Sequence, residues 1–504
     1  MERVFGIETE YGITVRGAEN IDVVAESIAL VRSYTEHGAH MKWDYEQEDP
    51  HRDARGFRAK ELLQDTDESA YYEVDKNRPL SFVEIKSDLV LSNGARFYND
   101  HAHPEYSTPE CTTLAEMVAH DKAGERVVAE CARRRNAHLP EGQEVQLYKN
   151  NTDFVGHSYG CHDNYLLRRD VPWKGIVAGI IPFLVSRQLF AGAGKMGMEV
   201  ESEKGQPGIF QISQRADFFS ELVSIDTMNR RPLVNTRDEP HADPRKYRRF
   251  HVIIGDSNMS EWATAMKIGT TSLVLELIER DLAPKLELAD PVKAIKDISR
   301  DQSLSWLIRL SDGRTISALD LQRAYLEAAE KAGGRSDDGA WLLQEWRTVL
   351  DDLEQDVARC QDRVDWVAKK YLLTALQEEE GLSWTDPWLE AIDLEYHSLD
   401  LDNSLYNELV RQGTMRRIVD ESKIREAIFS PPLTTRAFFR GRSVARFTQQ
   451  IEAIQWDAVV FRDAGRRRRV ALPEPIDYRG CGAMPAADEG PNALRDWINS
   501  VAER

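Results

Sequence analysis

The chain has 504 residues, of which 41% are hydrophobic and 30% charged, and its 65 Lys and Arg against 85 Asp and Glu give a net charge of −20. This length predicts one large domain or two ordinary ones, and the acidic balance argues against sequence-independent nucleic-acid binding. The sequence contains no uninterrupted apolar run of about 18 residues, so we expect no membrane-spanning helix. The start, MERVFGIETEYG, lacks the apolar stretch of a signal peptide, and the five cysteines form no CxxC pair, so we expect a cytoplasmic protein with reduced thiols.

The first 40 residues predict a strand, a turn and a helix, because VFGIETEYGITV alternates and IDVVAESIALVRSYTEH has helical spacing. An acidic insertion follows from Trp43 to Asp88, with 13 Asp and Glu, 7 Lys and Arg, and no clear periodicity. Segments of this length are commonly functional lids or disordered regions. A tolerated surface insertion is the alternative.

Helices are expected from Leu114 to Arg135, around IVAGIIPFLVSRQLF, and through most of Thr270 to Glu379, with a strand at FHVIIGD. The composition changes near residues 430–432, Ser-Pro-Pro. We therefore expect a large domain over residues 1–430 and a small C-terminal domain over 431–504. Early strands followed by a long helical middle favour an α+β fold over a regular βαβ alternation.

Two predicted strands place ionisable side chains on one face each. Glu8 and Glu10 are two residues apart, so both point to the same side of a sheet. Arg96, Tyr98 and Asp100 share a face of NGARFYND by the same period. Neighbouring carboxylates repel each other unless cations neutralise them. A cation site is the functional interpretation, and a solvent-facing polar strand is the alternative.

The loop after the second strand, HPEYSTPE, adds Glu105 and Glu110 around Thr108. Such a carboxylate-rich set favours Mg²⁺ or Mn²⁺ over zinc. His162 and His251 are candidate imidazole ligands, although a single histidine is more often a packed side chain. Eight of the 12 histidines lie between residues 101 and 251, which locates the expected site.

Other residues complete the candidate set. By the strand period, we expect His101 and His103 to face away from Asp100. Arg215 and Arg237 lie in turn-rich segments, where a guanidinium can hold a phosphate bidentately or form a surface ion pair. No P-loop, GxSxG or HExxH motif is present, so a bound nucleotide would rest on a sheet lined with carboxylates and arginines.

Several longer strings carry a family resemblance: GIETEYG, NGARFYNDHAHPEY, NNTDFVGHSYGCHDNYL, PFLVSRQL, SQRAD, NTRDEPHAD, KYRRFHVIIGDSNMSE, ALDLQRAYL and PPLTTRAFFRG. In this order, from Arg3 to at least Trp456, the chain resembles the Pup ligase and Pup deamidase/depupylase family of actinobacteria. That family is related to glutamine synthetase. The resemblance implies a large glutamine-synthetase-like domain, in which a curved antiparallel sheet cradle packs against helices, and a small C-terminal domain.

Within the family, the insertion containing WDYEQEDPHRDARGF and the string DHAHPEY resemble the deamidase/depupylase members. The resemblance implies an amidohydrolase that converts the C-terminal glutamine of Pup to glutamate and cleaves the isopeptide bond between Pup and a substrate lysine. ATP and Mg²⁺, with Mn²⁺ as an alternative, are the implied cofactors. Pup and pupylated proteins are the implied partners, without nucleic acid or membrane, and a monomer is favoured. A Pup–protein ligase and a non-catalytic Pup- or nucleotide-binding module are the alternatives.

The resemblance also assigns roles by position. It makes Asp100 the catalytic carboxylate, as nucleophile or base. The implied magnesium ligands are Glu8, Tyr98 and Glu105, with a second metal cluster of Glu10, His162 and His251. The implied nucleotide contacts are Arg96, Thr108, Arg215, Arg237 and Trp456. Because Pup is acidic, it needs a local basic groove, for which the candidates are Arg245, Lys246, Arg248, Arg249, Arg436, Arg440, Arg442 and Arg446.

Overall fold

The computed structural model describes residues 3–34, 43–62, 78–154, 156–199, 208–228, 230–333, 336–463 and 465–476, and a few single residues between 485 and 500. The centre of the predicted insertion, residues 63–77, lies outside the described residues, as does most of the chain after residue 476.

The strands are β1 (Phe5–Glu10), β2 (Gly12–Arg16), β3 (Leu89–Val90), β4 (Arg96–Asp100), β5 (His103–Ser107), β6 (Glu144–Tyr148), β7 (Cys161–Arg168), β8 (Lys195–Met196), β9 (Phe210–Gln211), β10 (Phe219–Ser224), β11 (Arg231–Asn235), β12 (Tyr247–Val252), β13 (Leu307–Arg309), β14 (Thr315–Ser317), β15 (Ile451–Gln455), β16 (Ala458–Asp463) and β17 (Arg466–Ala471).

The helices are α1 (Val23–Arg32), α2 (Phe82–Lys86), α3 (Leu114–Asn136), α4 (Trp173–Ala191), α5 (Glu261–Glu279), α6 (Pro291–Arg300), α7 (Ala318–Ala332), α8 (Asp337–Gln355), α9 (Asp365–Glu380), α10 (Pro387–Glu395), α11 (Leu405–Arg411), α12 (Glu421–Phe429) and α13 (Ala437–Phe447).

The central sheet has six strands in the order β12-β7-β1-β5-β4-β3, and every neighbouring pair is antiparallel. In β1, buried and partly exposed residues alternate, so Phe5 and Ile7 point into the core while Glu8 and Glu10 point to the opposite face. Helices pack against the apolar face, where Phe5 and Ile7 join the largest buried cluster with side chains of α4 and α5. The α+β prediction is confirmed.

Helix α4 lies in the core. By length and composition it could cross a membrane, and 72% of its most apolar stretch is buried inside the protein. In the sequence, Lys174 and Arg187 interrupt the apolar run of this helix. Its burial fits an interior helix, which is apolar all round.

The expectation of helices through the chain's middle holds only in part. Between α6 and α7 the chain forms the antiparallel hairpin β13–β14. Its two strands are only three residues each, too short to stand out from the helical pattern on both sides. Near the C-terminus, β15, β16 and β17 form an antiparallel sheet. The apolar cluster on this sheet also contains Trp43 and Val90, from far earlier in the chain. The predicted boundary at residue 430 stays a prediction.

Candidate active site

One face of the central sheet carries a row of ionisable side chains, because directly opposed residues on neighbouring strands point to the same face. Glu10 of β1 lies opposite Glu105 of β5, which lies opposite Tyr98 of β4. Glu8 lies opposite His162 of β7. Strand pairing thus brings together residues that are far apart in the sequence.

Glu8, His162 and His251 form one group of candidate cation ligands, with an atom from each within 4.8 Å of the others. Glu8 Oε2 lies 3.4 Å from His162 Nδ1 and 3.5 Å from His251 Nε2. Neither ring nitrogen of the buried His251 has a hydrogen-bond partner among the described residues. Burial lowers the pKa of His251 to about 3, so at pH 7 the imidazole is neutral and has the lone pair that a metal ligand needs.

Glu10, Asp100 and Glu105 form a second group with the same spacing. Burial, followed by the charges of Asp100, Glu8 and Glu10, raises the pKa of Glu105 well above its ordinary value. A bound cation relieves such crowding, and a set of carboxylate oxygens fits a hard divalent ion such as Mg²⁺. The residues present therefore fit the expected metal.

The two groups divide the predicted ligands differently from the sequence-based expectation. The resemblance placed Glu8 in a cluster with Tyr98 and Glu105, and Glu10 with the two histidines. In the structure, Glu8 lies with the histidines and Glu10 with Glu105. The reason is the register, in which Glu8 lies between His162 of β7 and Ser107 of β5, while Glu10 lies opposite Glu105 of β5.

Asp100 ends β4 between two nitrogen groups. Its Oδ1 accepts a hydrogen bond from Lys86 Nζ, and its Oδ2 lies 3.2 Å from His101 Nδ1. Burial raises the pKa of Asp100, but attraction to Lys86 and His101 outweighs burial and holds that pKa well below its ordinary range. The carboxylate is therefore ionised at neutral pH and can serve as a nucleophile or a base.

The prediction that His101 and His103 face away from Asp100 is wrong. The chain turns directly after Asp100, and His103 begins β5 opposite Asp100 in the register. Strand periodicity does not continue through a turn. The His103 ring stacks on Tyr159 with centroids 4.5 Å apart, and its Nδ1 lies 3.8 Å from Glu10 Oε2.

Arg96 lies buried between two aromatic rings. Its guanidinium carbon is 3.8 Å from the ring centre of Tyr98 and 4.1 Å from that of Trp43. Asp88 accepts hydrogen bonds from Nε and Nη2 at 2.9 and 2.6 Å, and the Tyr45 hydroxyl accepts one from Nη2 at 2.8 Å. Nη1 has no hydrogen-bond partner in the described part of the chain, so this group can donate to an anion.

A cleft opens beside Glu8, and both Thr108 and Trp456 line it. Thr108 Oγ1 accepts a hydrogen bond from the Ile7 backbone N–H at 3.0 Å. Arg249, also on the wall, donates from Nη1 to Glu8 Oε1 at 3.2 Å. Two predicted nucleotide contacts therefore share one cleft, and Glu8 connects that cleft to the first group of cation ligands.

Arg215 and Arg237 are cations without a carboxylate partner among the residues described. Arg215 donates from Nη1 to the Ile253 carbonyl at 2.5 Å, and Arg237 from Nη2 to Thr227 Oγ1 at 3.1 Å. The Nε groups of both are buried without a hydrogen-bond partner. Burial, together with repulsion from Arg231, lowers the pKa of Arg215 to about 10, and burial lowers the pKa of Arg237. Both guanidinium groups are suited to an incoming anion.

Sequence reasoning missed two contributors to this site. Lys86, which contacts Asp100, comes from the aperiodic insertion and carries no recognisable signal. Gly160 leaves room for two candidate ligands: a Cβ there would lie 2.3 Å from His162 Nε2 and 2.8 Å from Glu10 Oε1. Gly160 lies two residues before His162 in SYGCH, so the strand period places both on one face, and this spacing is the signal that could have identified Gly160.

Four of the eight arginine and lysine candidates for a Pup groove have partners within the protein. Arg436 and Arg440 are buried and both pair with Glu110, at 2.7 and 2.5 Å. Arg248 is buried and donates to a backbone carbonyl, and Arg249 donates to Glu8. Arg249 and Arg436 also line the cleft beside Glu8, and the set of arginines that contacts Pup stays a prediction.

Comparison with known proteins places the chain among relatives. A depupylase from Acidothermus cellulolyticus is 46% identical over 489 residues, which cover 94% of each chain. A Pup deamidase/depupylase from Mycolicibacterium smegmatis is 43% identical, covering 100% of this chain and 99% of its own. A Pup–protein ligase from Acidimicrobium ferrooxidans is 42% identical, covering 77% of this chain and 87% of its own.

Two solved structures share the fold over most of their length. The complex between Pup and its ligase PafA has a TM-score of 0.78 at 30% identity, covering 100% of this chain and 92% of that one. PafA in complex with ADP has a TM-score of 0.73 at 33% identity, covering 89% and 97%. The family model described as Pup-ligase protein matches residues 3–460. The chain belongs to the Pup-ligase protein family.

Proposed function

We propose that this protein is a Pup deamidase and depupylase. It hydrolyses the side-chain amide of the C-terminal glutamine of Pup, and the isopeptide bond between the C-terminal glutamate of Pup and a substrate lysine. The observation that carries the proposal is the ionised Asp100 carboxylate, which lies within 4.8 Å of two further carboxylates on one sheet face. Amide hydrolysis needs such a reactive group together with stabilisation of the developing oxyanion.

The alternative function is that of a Pup–protein ligase. The sequence relatives argue against it, because the depupylase from A. cellulolyticus is 46% identical over 94% of this chain and the ligase from A. ferrooxidans 42% identical over 77%. A non-catalytic binding module is disfavoured as well. Buried, crowded carboxylates are costly to maintain, and a protein that only binds would have no need of them.

The described side chains divide the chemical work. Asp100 either attacks the amide carbon or removes a proton from the attacking group, while Lys86 and His101 hold its two oxygens. Arg215 and Arg237 have unpartnered donors for a phosphate or carboxylate group. Glu8, His162 and His251, with Glu10 and Glu105, would hold Mg²⁺, which supplies Lewis-acid stabilisation of the oxyanion when bound. The predicted ligand Tyr98 lies opposite Glu105.

We infer that ATP binds in the cleft that Thr108, Trp456 and Glu8 line. The ADP complex of the related PafA supports nucleotide binding by this fold. Arg96 would contribute its free Nη1 to the nucleotide. Mg²⁺ is the metal that the carboxylate oxygens favour, and Mn²⁺ is the alternative because two imidazoles take part.

The partner that this function requires is Pup, free or attached to a protein. Pup bound to the related PafA supports that choice. We infer a monomer, because one chain supplies every residue named in the site. We also infer a cytoplasmic location without nucleic-acid or membrane partners; the four described cysteines are free thiols, as a reducing compartment favours.

The test uses the full-length protein with glutamine-ended Pup, ATP and Mg²⁺. Release of ammonia and conversion of the Pup terminus to glutamate are expected, as is loss of a purified Pup conjugate with recovery of the free substrate protein. Formation of new conjugates from glutamate-ended Pup, without either hydrolysis, would establish the ligase instead. If a phosphate retained from ATP is the attacking group and Asp100 its base, oxygen-18 will pass from labelled phosphate to the product glutamate. A covalent adduct on Asp100 would identify Asp100 as the nucleophile instead.

A further inference from the structure

A continuous stack of cations and aromatic rings runs from the catalytic carboxylate to the wall of the cleft. Cations and rings alternate along it, except where Trp43 meets Trp456 ring to ring. We call it the cation–aromatic ladder, and its residues in spatial order are Lys86, Tyr98, Arg96, Trp43, Trp456 and Arg440.

The distances along the ladder are those of favourable contacts. Lys86 Nζ lies 5.7 Å from the Tyr98 ring centre, and the Arg96 guanidinium lies 3.8 Å from the same centre. Trp43 covers the other face of Arg96 at 4.1 Å. A cation within about 6 Å of a ring centre is attracted to it, most strongly where water is excluded. Arg96, Tyr98 and Trp43 are 7%, 9% and 1% exposed, so the centre of the ladder is dry.

Trp43 continues the ladder to the cleft. Its ring meets Trp456 edge to face, with centroids 5.4 Å apart, and Trp456 lines the cleft. The Trp43 indole N–H donates to Glu48 at 2.7 Å, which fixes the orientation of the ring. Trp43 thus packs against both Arg96 and Trp456, two predicted nucleotide-binding residues that lie 360 residues apart in the sequence.

The backbone around Trp43 is held equally firmly. Trp43 pairs with Ile454 in a parallel bridge, and the Asp44 backbone N–H donates to the Ile454 carbonyl at 3.0 Å. Gln455 returns a hydrogen bond from its side chain to the Asp44 carbonyl at 3.0 Å. The start of the insertion is therefore attached to the strand that leads into Trp456, and the two tryptophans must move together.

We propose that Trp43 is a positioning residue for the nucleotide, which sets Arg96 and Trp456 in place at the same time. This inference rests on the proposed function in placing a nucleotide in the cleft. Trp43 is not among the residues that line the cleft, and it acts through Arg96 and Trp456 on its two sides. Loss of its ring frees the Arg96 guanidinium on one side and removes the support of Trp456 on the other.

The test measures Mg·ADP affinity with the full-length protein and the variants Trp43→Leu, Trp43→Phe and Trp388→Leu. Because a desolvated cation–ring contact stabilises substantially, we expect Trp43→Leu to weaken ADP binding by roughly tenfold. Trp43→Phe retains a ring and should recover most of the affinity. Trp388 is 55% exposed and serves as the control without effect. Equal losses in the Leu and Phe variants, or wild-type affinity in Trp43→Leu, would overturn the proposal.

A second measurement needs no destabilising variant. In protein labelled with 5-fluorotryptophan, the Trp43 resonance, identified by its loss in Trp43→Phe, should shift when Mg·ADP is added, and the Trp388 resonance should not. If the chemical shift of the Trp43 resonance does not change at saturating Mg·ADP, Trp43 is not coupled to the cleft and the proposal is wrong. Ammonia release from glutamine-ended Pup by the wild type tests the proposed function separately, so the two can fail independently.

Discussion

Two groups of ionisable side chains in this protein differ in the balance of their charges. In the balanced cluster, on α3 and just after β6, Lys149 lies 2.7 Å from Asp121 and 2.9 Å from Glu125, and Lys122 lies 2.8 Å from Glu125. The sheet-face cluster comprises four carboxylates that face one another: Glu8, Glu10, Asp100 and Glu105.

The pKa values of two glutamates express the difference. Burial raises the pKa of Glu125, but Lys122 and Lys149 outweigh burial and lower that pKa to about 2. For Glu105, burial and neighbouring carboxylates act in the same direction and raise the pKa well above its ordinary value. Compensated charge marks a structural site, and uncompensated charge marks a site built to receive a cation. Variants in the two clusters should therefore fail in different ways.

The largest effect is expected for Asp100→Asn. Removal of the reactive carboxylate should reduce deamidation of glutamine-ended Pup by about 10²- to 10⁴-fold. ADP binding should persist, whereas the thermal midpoint should fall, because Lys86 loses its carboxylate partner. Ammonia release, nucleotide titration and thermal unfolding measure the three quantities. If the Asp100→Asn protein still deamidates Pup at the wild-type rate, Asp100 is not the reactive carboxylate.

The next prediction compares Glu125→Gln with Glu105→Gln in the presence of a chelator. Glu125→Gln leaves two buried lysines with too little negative charge, and should lower the free energy of unfolding by about 3–5 kcal/mol. Glu105→Gln relieves repulsion and should leave the metal-free protein at least as stable as the wild type. Urea unfolding measures both, and a similar loss in the two variants would end the distinction between the clusters.

A smaller effect is expected for Gly160→Ala. The added methyl group would displace the His162 ring and the Glu10 carboxylate, which lie 2.3 and 2.8 Å from its position. Because misplaced ligands weaken metal binding, we expect a loss of about 10- to 100-fold in apparent Mg²⁺ affinity, measured from the metal dependence of turnover. Gly175→Ala, where a Cβ would meet nothing within 4 Å, is the matched control. Equal metal dependence in both variants would contradict the packing argument.

The smallest effect concerns pH. Glu125 titrates at about 2 in the folded protein against an ordinary 4.5, so its contribution to stability is present above pH 4.5 and disappears as the pH falls toward 2. Glu105 titrates above 4.5 when folded, so the metal-free wild type should lose stability relative to Glu105→Gln as the pH rises from 4.5. The slope is at most about 1.4 kcal/mol per pH unit. Urea unfolding at several pH values, in the presence of a chelator, measures how the free energy of unfolding depends on pH. The same pH dependence in the wild type, Glu125→Gln and Glu105→Gln would contradict both expectations.

The sequence predicts each strand's contribution to the site but not the way the strands combine. A period of two suffices to place Glu8 with Glu10, and Asp100 with Tyr98, because side-chain alternation is a local property. The grouping of Glu8 with histidines depends on the β1–β7 register, which no local pattern encodes. The expectation that His103 faces away from Asp100 fails for a related reason. A two-residue turn reverses the chain after Asp100, and the alternation of side chains starts again in β5.

Contacts from irregular segments were harder still to foresee. Lys86 reaches Asp100 from a five-residue helix without a single buried side chain, so no hydrophobic pattern marks its position. Arg436 and Arg440 appeared suited to a surface groove because their segment is rich in arginine. Their actual partner, Glu110, lies more than 300 residues earlier in the chain, and only the tertiary fold reveals that the pair is internal.

The strand order β12-β7-β1-β5-β4-β3 also has a consequence during synthesis. β1 is made first, yet it lies at the centre of the sheet, and β12, which carries His251, is made only after half the chain has been translated. At roughly 5–20 residues per second, Glu8 waits on the order of ten to fifty seconds for its histidine partner. The two neighbours of β1 are made earlier, β5 before β7, so the edge of β1 that pairs with β7 stays unpaired until Cys161 has been added. The nascent chain is thus exposed to mispairing for longest at the strand on which the metal ligands depend.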